Sequence, residues 1–169
     1  MHDLFEDILD FPDPDMMDQY VSLVGLDGLK ARLMKEGQLL IAPSLLDEWN
    51  DQHHDGDVSF LDYFKTRPPL FIFAGDVGTG KTALAESFAD PIARKLKMSV
   101  KLYSLSLNAR GTGAVGEMTR LISGAFDIIK QEAKKVAKKG GKPSVGYILL
   151  IDEADALAQS REFAQMHHE

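Results

Sequence analysis

The sequence predicts an α/β fold in which a parallel sheet is flanked by helices. Three observations predict it. Two short, wholly apolar runs, Leu70 to Ala74 (LFIFA) and Tyr147 to Ile151 (YILLI), have the composition of strands buried on both faces. Segments with apolar residues at steps of three or four lie between them, so strands alternate with helices. A glycine-rich stretch from Gly75 to Thr82 joins the first run to the helix that follows.

The chain has 169 residues, 44% hydrophobic and 27% charged, enough for one ordinary domain with a core. No apolar run approaches the ~20 residues that span a bilayer, so no membrane partner is expected. The start, Met1-His2-Asp3, has neither the cations nor the apolar region of a secretory signal. There is no cysteine, which excludes a disulfide framework, a thiolate zinc site and a cysteine nucleophile; a cytoplasmic location is compatible with this. The net charge of −7 is concentrated at the start: residues 1–19 carry seven acids and no Lys or Arg. The remainder balances, 19 acids against 19 bases, so charge does not point to a nucleic-acid surface. The chain is therefore read as an acidic N-terminal segment, 1–19, and a domain over 20–169.

The acidic segment interleaves Leu4, Phe5, Ile8, Leu9 and Phe11 with its charges. This predicts a short amphipathic helix over 3–10, ended by Pro12 and Pro14, within either a solvated tail or a partner-docking segment. Asp27 reads as an N-cap for a helix over 27–41, weakened in its second half by Gly37 and stopped by Pro43. A short helix is expected over 44–50, then a polar loop, then a turn of helix from Ser59 through Lys65. Trp49 is expected in the core. After the 70–74 strand, residues 81–97 carry a helical stripe interrupted by Pro91, with Asp90 as the expected cap of the second part. Residues 100–106 alternate like a strand, and a glycine-rich loop follows. The strongest helix pattern covers 115–138, ending in lysines and then glycines, as the negative end of a helix favours. His53-His54 and His167-His168 are adjacent pairs, not the i, i+4 pairs of a metal helix, and read as surface.

Gly75-Asp76-Val77-Gly78-Thr79-Gly80-Lys81-Thr82 matches the phosphate-binding loop pattern G-x-x-x-x-G-K-[ST]. Glycines let the backbone turn so that N–H groups face phosphate oxygens, and the positive end of the following helix faces the same anion. Lys81 reaches the β- and γ-phosphates, and the Thr82 hydroxyl can ligate Mg²⁺. The 147–151 run delivers Asp152 and Glu153 at its C-terminal edge, where α/β sheets bind ligands. Asp152 would hold Mg²⁺, and Glu153 would polarise the attacking water. The expected fold is thus a phosphate-loop (P-loop) NTPase sheet. Asp152-Glu153-Ala154-Asp155 also spells the signature of an RNA-helicase family, but that family's other motifs are missing between Lys81 and Asp152.

With these residues in order, the chain resembles the AAA+ ATPases over about 20–169. The resemblance rests on Val24-Gly25-Leu26-Asp27, the Lys30-containing helix, the loop at 75–82 and the acids at 152–153. It implies that Val24, Gly25 and Leu26 line the adenine pocket. Within that family, 104–126 and Asp152 to Arg161 look most like the pachytene-checkpoint clade. Those are hexameric motors that remodel HORMA-domain proteins, with bacterial relatives in antiphage signalling. The resemblance implies ATP and Mg²⁺ as cofactors, a protein substrate of HORMA type, and a homo-hexamer at full length.

Two departures qualify it. The loop Asn108 to Gly113 has no aromatic residue for threading substrate; either Arg110 grips instead or the loop is a plain mobile one. The family also places sensor 1, the arginine finger, the lid and sensor 2 after the point where this chain stops, with the sensor-1 strand between the two motif-bearing strands; Arg161 falls too early for the finger. The sheet is therefore expected to be incomplete, with the central sensor-1 strand and lid absent and backbone groups beside the gap unpaired. The leading function is ATP hydrolysis driving protein remodelling. The alternatives are a nucleotide-binding piece that does not turn over, and a DNA-directed AAA+ ATPase, against which the neutral body argues.

Overall fold

A computed structural model describes residues 4–56, 58–106, 115–137 and 144–154. The elements are β1 (Asp7–Phe11), α1 (Pro14–Ser22), α2 (Asp27–Ile41), α3 (Ser44–His53), α4 (Phe60–Thr66), α5 (Lys81–Ser87), α6 (Ala89–Leu96), β2 (Ser99–Ser106), α7 (Val115–Ala137) and β3 (Val145–Asp152). They fall into two units, Phe11–Ser99 and the combination of Met1–Asp10 with Val100–Glu169. Expectations for Arg110, Arg161, the lysines and glycines that end the 115–138 pattern, and His167-His168 lie outside the described residues. No helix among those described is long and apolar enough to cross a membrane.

The second of these units is a three-stranded sheet, order β1-β2-β3, carrying α7. The 23-residue α7 joins two neighbouring strands, the kind of crossover a parallel pair needs. Its apolar stripe explains why it packs: Met118, Ala125 and Ile129 meet Phe5, Tyr103 and Leu105, with Ile122, Tyr147, Leu149 and Ile151 around them. Phe5 and Tyr103 meet edge to face at 4.8 Å between centroids.

The helix expected over 3–10 is not there. Asp7–Phe11 is a strand, and the Glu6 N–H already donates to the Ser104 carbonyl at 2.9 Å. Burial of Phe5 and Phe11 makes this segment part of the core, not a solvated tail. A strand wins because Pro12 follows at once, leaving too few residues for a stable helix, while β2 offers a ladder. The helix starts later, at Pro14. Asp13 caps it, its carboxylate accepting from Asp15 N–H at 2.8 Å and Met16 N–H at 3.1 Å, and proline sits where a missing N–H costs nothing.

The Phe11–Ser99 unit is helical. Helix α1 lies on α5 and α6, α2 on α6, and α3 on α2. Helix α2 runs through Gly37 because that glycine is where α6 approaches: a Cβ there would meet Ile92 Cδ1 at 2.5 Å. Asp27 is its first helical residue, with Leu26 in the cap position, and α3 continues past Asn50 to His53. Trp49 is exposed, not in the core, with His53, His54 and Phe60 around its ring.

The Pro91 break falls between α5 and α6, at Phe88. Asp90 is not the cap. It is fully buried, accepting from the Asp13 backbone N–H and from Arg94 Nε at 2.6 Å, so it ties the start of α1 to α6.

The run 70–74 is not a strand, contrary to expectation, and takes no place in the sheet. It keeps a strand's alternation: Phe71 and Phe73 pack on Phe88, at 5.9 and 6.1 Å between centroids, while Leu70 and Ile72 are 67% and 81% exposed. A strand requires a neighbour for its backbone groups, and no described strand lies beside this run.

Candidate functional site

The phosphate-loop segment, Gly75 to Gly80, leads directly into α5. Gly78 and Gly80 take left-handed backbones, φ 79° and 83°, where a side chain costs about 1–2 kcal/mol. This is the local reason for glycine at those two letters of the motif. Gly80 is also the residue before the first turn of α5, and a Cβ on it would lie 3.3 Å from Leu23 Cδ2. The loop is open to solvent, with Val77 fully exposed at its tip.

Lys81 folds back over the loop. Its Nζ donates to the Gly75 carbonyl at 2.8 Å and the Asp76 carbonyl at 2.7 Å. The Thr79 hydroxyl donates to the Asp76 carbonyl at 2.8 Å and holds the turn closed. Thr82 stands exposed in the first turn of α5. The structure thus brings Gly75 to Thr82 together as one cradle with a cation inside it.

Asp152 ends β3, as expected, and Glu153 leaves the strand with a left-handed backbone, φ 54°. The Glu153 N–H donates to Asp152 Oδ1 at 2.9 Å, a local turn that fixes the first carboxylate at the strand's end. These two acids belong to the sheet unit and the cradle to the helical unit.

Val24, Gly25 and Leu26 form the link between α1 and α2. Val24 is 86% exposed and Gly25 has φ 76°. Sequence reasoning missed what holds this link. Lys30 Nζ donates to the carbonyls of Tyr20 and Leu23, both at 2.5 Å, and sits 4.5 Å from the Tyr20 ring centroid. The Gln19 side chain donates to the Ala83 carbonyl at 3.1 Å, fastening α1 to α5. The absence of any Lys or Arg in the last turn of α1 is a signal that its end carbonyls need a donor from elsewhere; Gln19 left no such signal.

A loop of these glycines, a lysine and a hydroxyl fits a nucleotide triphosphate with its magnesium: left-handed glycines where the chain must curl, and an ammonium already seeking oxygens. A profile of the ATPase family associated with various cellular activities (AAA) matches residues 71–169. CD-NTase-associated protein 6 of Escherichia coli MS 115-1 is 48% identical over 169 residues, which is all of this chain and 54% of that protein. In the solved structure of the E. coli MS115-1 HORMA:CdnC:Trip13 complex, one chain matches with TM-score 0.84 and 47% identity, over 98% of this chain and 54% of that one. Rhizobiales Trip13 matches with TM-score 0.70 and 36% identity, over 94% and 56%. The chain spans about half the length of the curated relatives it matches. The chain belongs to the ATPase family associated with various cellular activities (AAA).

Proposed function

We propose that this chain binds ATP with Mg²⁺ through Gly75 to Thr82 and contributes to its hydrolysis to ADP and phosphate. In a larger AAA assembly, a homo-hexamer, that turnover drives remodelling of a protein partner. The cradle around Lys81 is the observation that carries the reading: two left-handed glycines and an ammonium turned inward over the loop. Binding of nucleotide would draw the Lys81 ammonium from the Gly75 and Asp76 carbonyls to the β- and γ-phosphates, exchanging neutral acceptors for charged ones. Thr82 and Asp152 would hold the magnesium, which neutralises charge on the phosphates. Glu153 would accept the proton of the attacking water. Val24, Gly25 and Leu26 would face the adenine.

A HORMA-domain protein is the proposed partner, because the chain matched at TM-score 0.84 was solved in a complex with HORMA and CdnC. Titration with a fluorescent ATP analogue tests the site. Binding lost in Lys81→Ala supports it; no binding by folded wild-type protein overturns it. Phosphate release that disappears in Glu153→Gln while binding persists supports hydrolysis through Glu153, and release unchanged by that substitution removes Glu153 from the role.

A further inference from the structure

Helix α1 ends without a cation of its own. Its last turn holds no Lys or Arg, and the residue after it, Leu23, is extended (φ −75°, ψ 99°). The end carbonyls of such a helix need donors, and their partial negative charge favours a cation. The Ser22 hydroxyl donates to the Gln19 carbonyl at 2.7 Å, and the donor for Tyr20 and Leu23 comes from α2. Lys30 sends its ammonium back across the link to Tyr20 and Leu23, and the Tyr20 ring closes over it. The Lys30 N–H meanwhile bonds the Leu26 carbonyl at 2.8 Å, so one residue grips both ends of the link, with side chain and backbone.

What lies inside this brace gives it a consequence. Leu23 abuts Gly80 of the phosphate loop, and α1 is fastened to α5 through Gln19. Of the next three residues, Val24 and Gly25 are almost without packing: Val24 is mostly exposed and a Cβ on Gly25 would meet nothing within 4 Å, while Leu26 is half-buried. A segment with so little burial has little of its own to hold one conformation. Its position against the phosphate cradle is set by the brace.

We infer that Lys30 is a positioning residue for recognition of the nucleotide base: it presets the 24–26 segment beside the phosphate loop, so that the base docks on a segment already ordered. This rests on the reading that residues 24–26 face adenine. Preordering improves affinity by removing the cost of ordering on binding. The effect therefore falls on the base and not on the phosphates.

The test uses the full 169-residue chain and two competitors of a bound fluorescent ATP analogue: ATP, which has a base, and inorganic tripolyphosphate, which has none. Lys30→Met removes the ammonium and keeps the stem. The inference expects about tenfold weaker ATP binding, about 1.4 kcal/mol, with tripolyphosphate unchanged. Lys30→Arg, which keeps the charge on a planar fork, recovers part of the loss. Amide exchange in the nucleotide-free protein should quicken at residues 23–27 in Lys30→Met. Equal weakening of both competitors, or of neither, overturns the inference, as does exchange unchanged at 23–27. Wild-type protein that binds neither competitor is the separate failure, that of the nucleotide reading itself. Should Lys30→Met not fold, Lys30→Gln, which shortens the stem and removes the charge, carries the comparison: a shift of the ATP to tripolyphosphate ratio supports the inference and an unshifted ratio overturns it.

Discussion

Replacing Gly37 by alanine should destabilise the protein, although alanine is the better helix former. Taken alone, a mid-helix glycine-to-alanine change gains about 1 kcal/mol. Here the new methyl would stand 2.5 Å from Ile92 Cδ1 and 3.8 Å from Phe88 Cε2, roughly 1 Å closer to the first than ordinary contact allows. Ile92 is fully buried and Phe88 nearly so, so neither side chain has free space to retreat into. Overpacking of this kind costs about 1–3 kcal/mol, which leaves a net loss of about 1 kcal/mol. The offending atom can be removed. Ile92→Val alone should cost about 1 kcal/mol through the lost methyl group. In the double variant, Gly37→Ala with Ile92→Val, the added methyl takes the place of Cδ1. The clash disappears and the helix gain remains, so stability should return to about that of wild type. The two changes should thus couple by about 2 kcal/mol. Urea denaturation of the four proteins, compared at equal m, measures this. Additivity within about 0.5 kcal/mol would refute the packing argument.

Further expectations concern charge and capping. Asp90→Ala should cost about 2–3 kcal/mol, since it strips a buried acceptor from both the Asp13 N–H and Arg94, and Asp90→Asn about half of that; thermal melts of the two variants give the comparison. Asp13→Ala should cost about 1 kcal/mol by uncapping α1, while Asp13→Asn stays near wild type. In the sheet unit, burial and then the hydrogen bond to Glu132 raise the Tyr103 pKa, and the bond to Glu132 raises that of Lys101. Raised folded-state values contribute stability that is complete below about pH 10 and is lost as pH rises through them. Tyr103→Phe should therefore be less stable at neutral pH yet lose less between about pH 10 and pH 12, read by circular dichroism; parallel curves would refute this. The Tyr103 hydroxyl and then Lys101 hold the Glu132 carboxyl below its usual range, so its contribution is present above about pH 4 and fades as acid protonates it.

The glycine turns at Gly78 and Gly80 and the helix after them were legible because their cause is local: eight consecutive residues carry the pattern. Helix α7 was legible because its stripe is long. The 7–11 strand was not, because a short mixture of acids and apolar residues satisfies either period, and what decides is β2, nearly a hundred residues away. The 70–74 run shows the converse: side-chain pattern makes it a strand, but a strand exists only with a partner. Asp90 and Lys30 were misjudged or passed over for a related reason. Asp90 looked like a cap from its place before Pro91, yet its partners include a backbone N–H 77 positions away. The reach of Lys30 to two carbonyls follows from how α1 and α2 are set, which no spacing records.

The 70–74 run also bears on how this protein must be handled. Five uncharged residues, mostly β-favouring, lie outside the described sheet with Leu70, Ile72 and Ala74 turned to water, and they invite like segments on neighbouring molecules to zip together. Self-association through this run would grow with the concentration of a purified sample. Ile72→Lys, on the outward side, is the simplest remedy, and loss of concentration-dependent turbidity would show that it works.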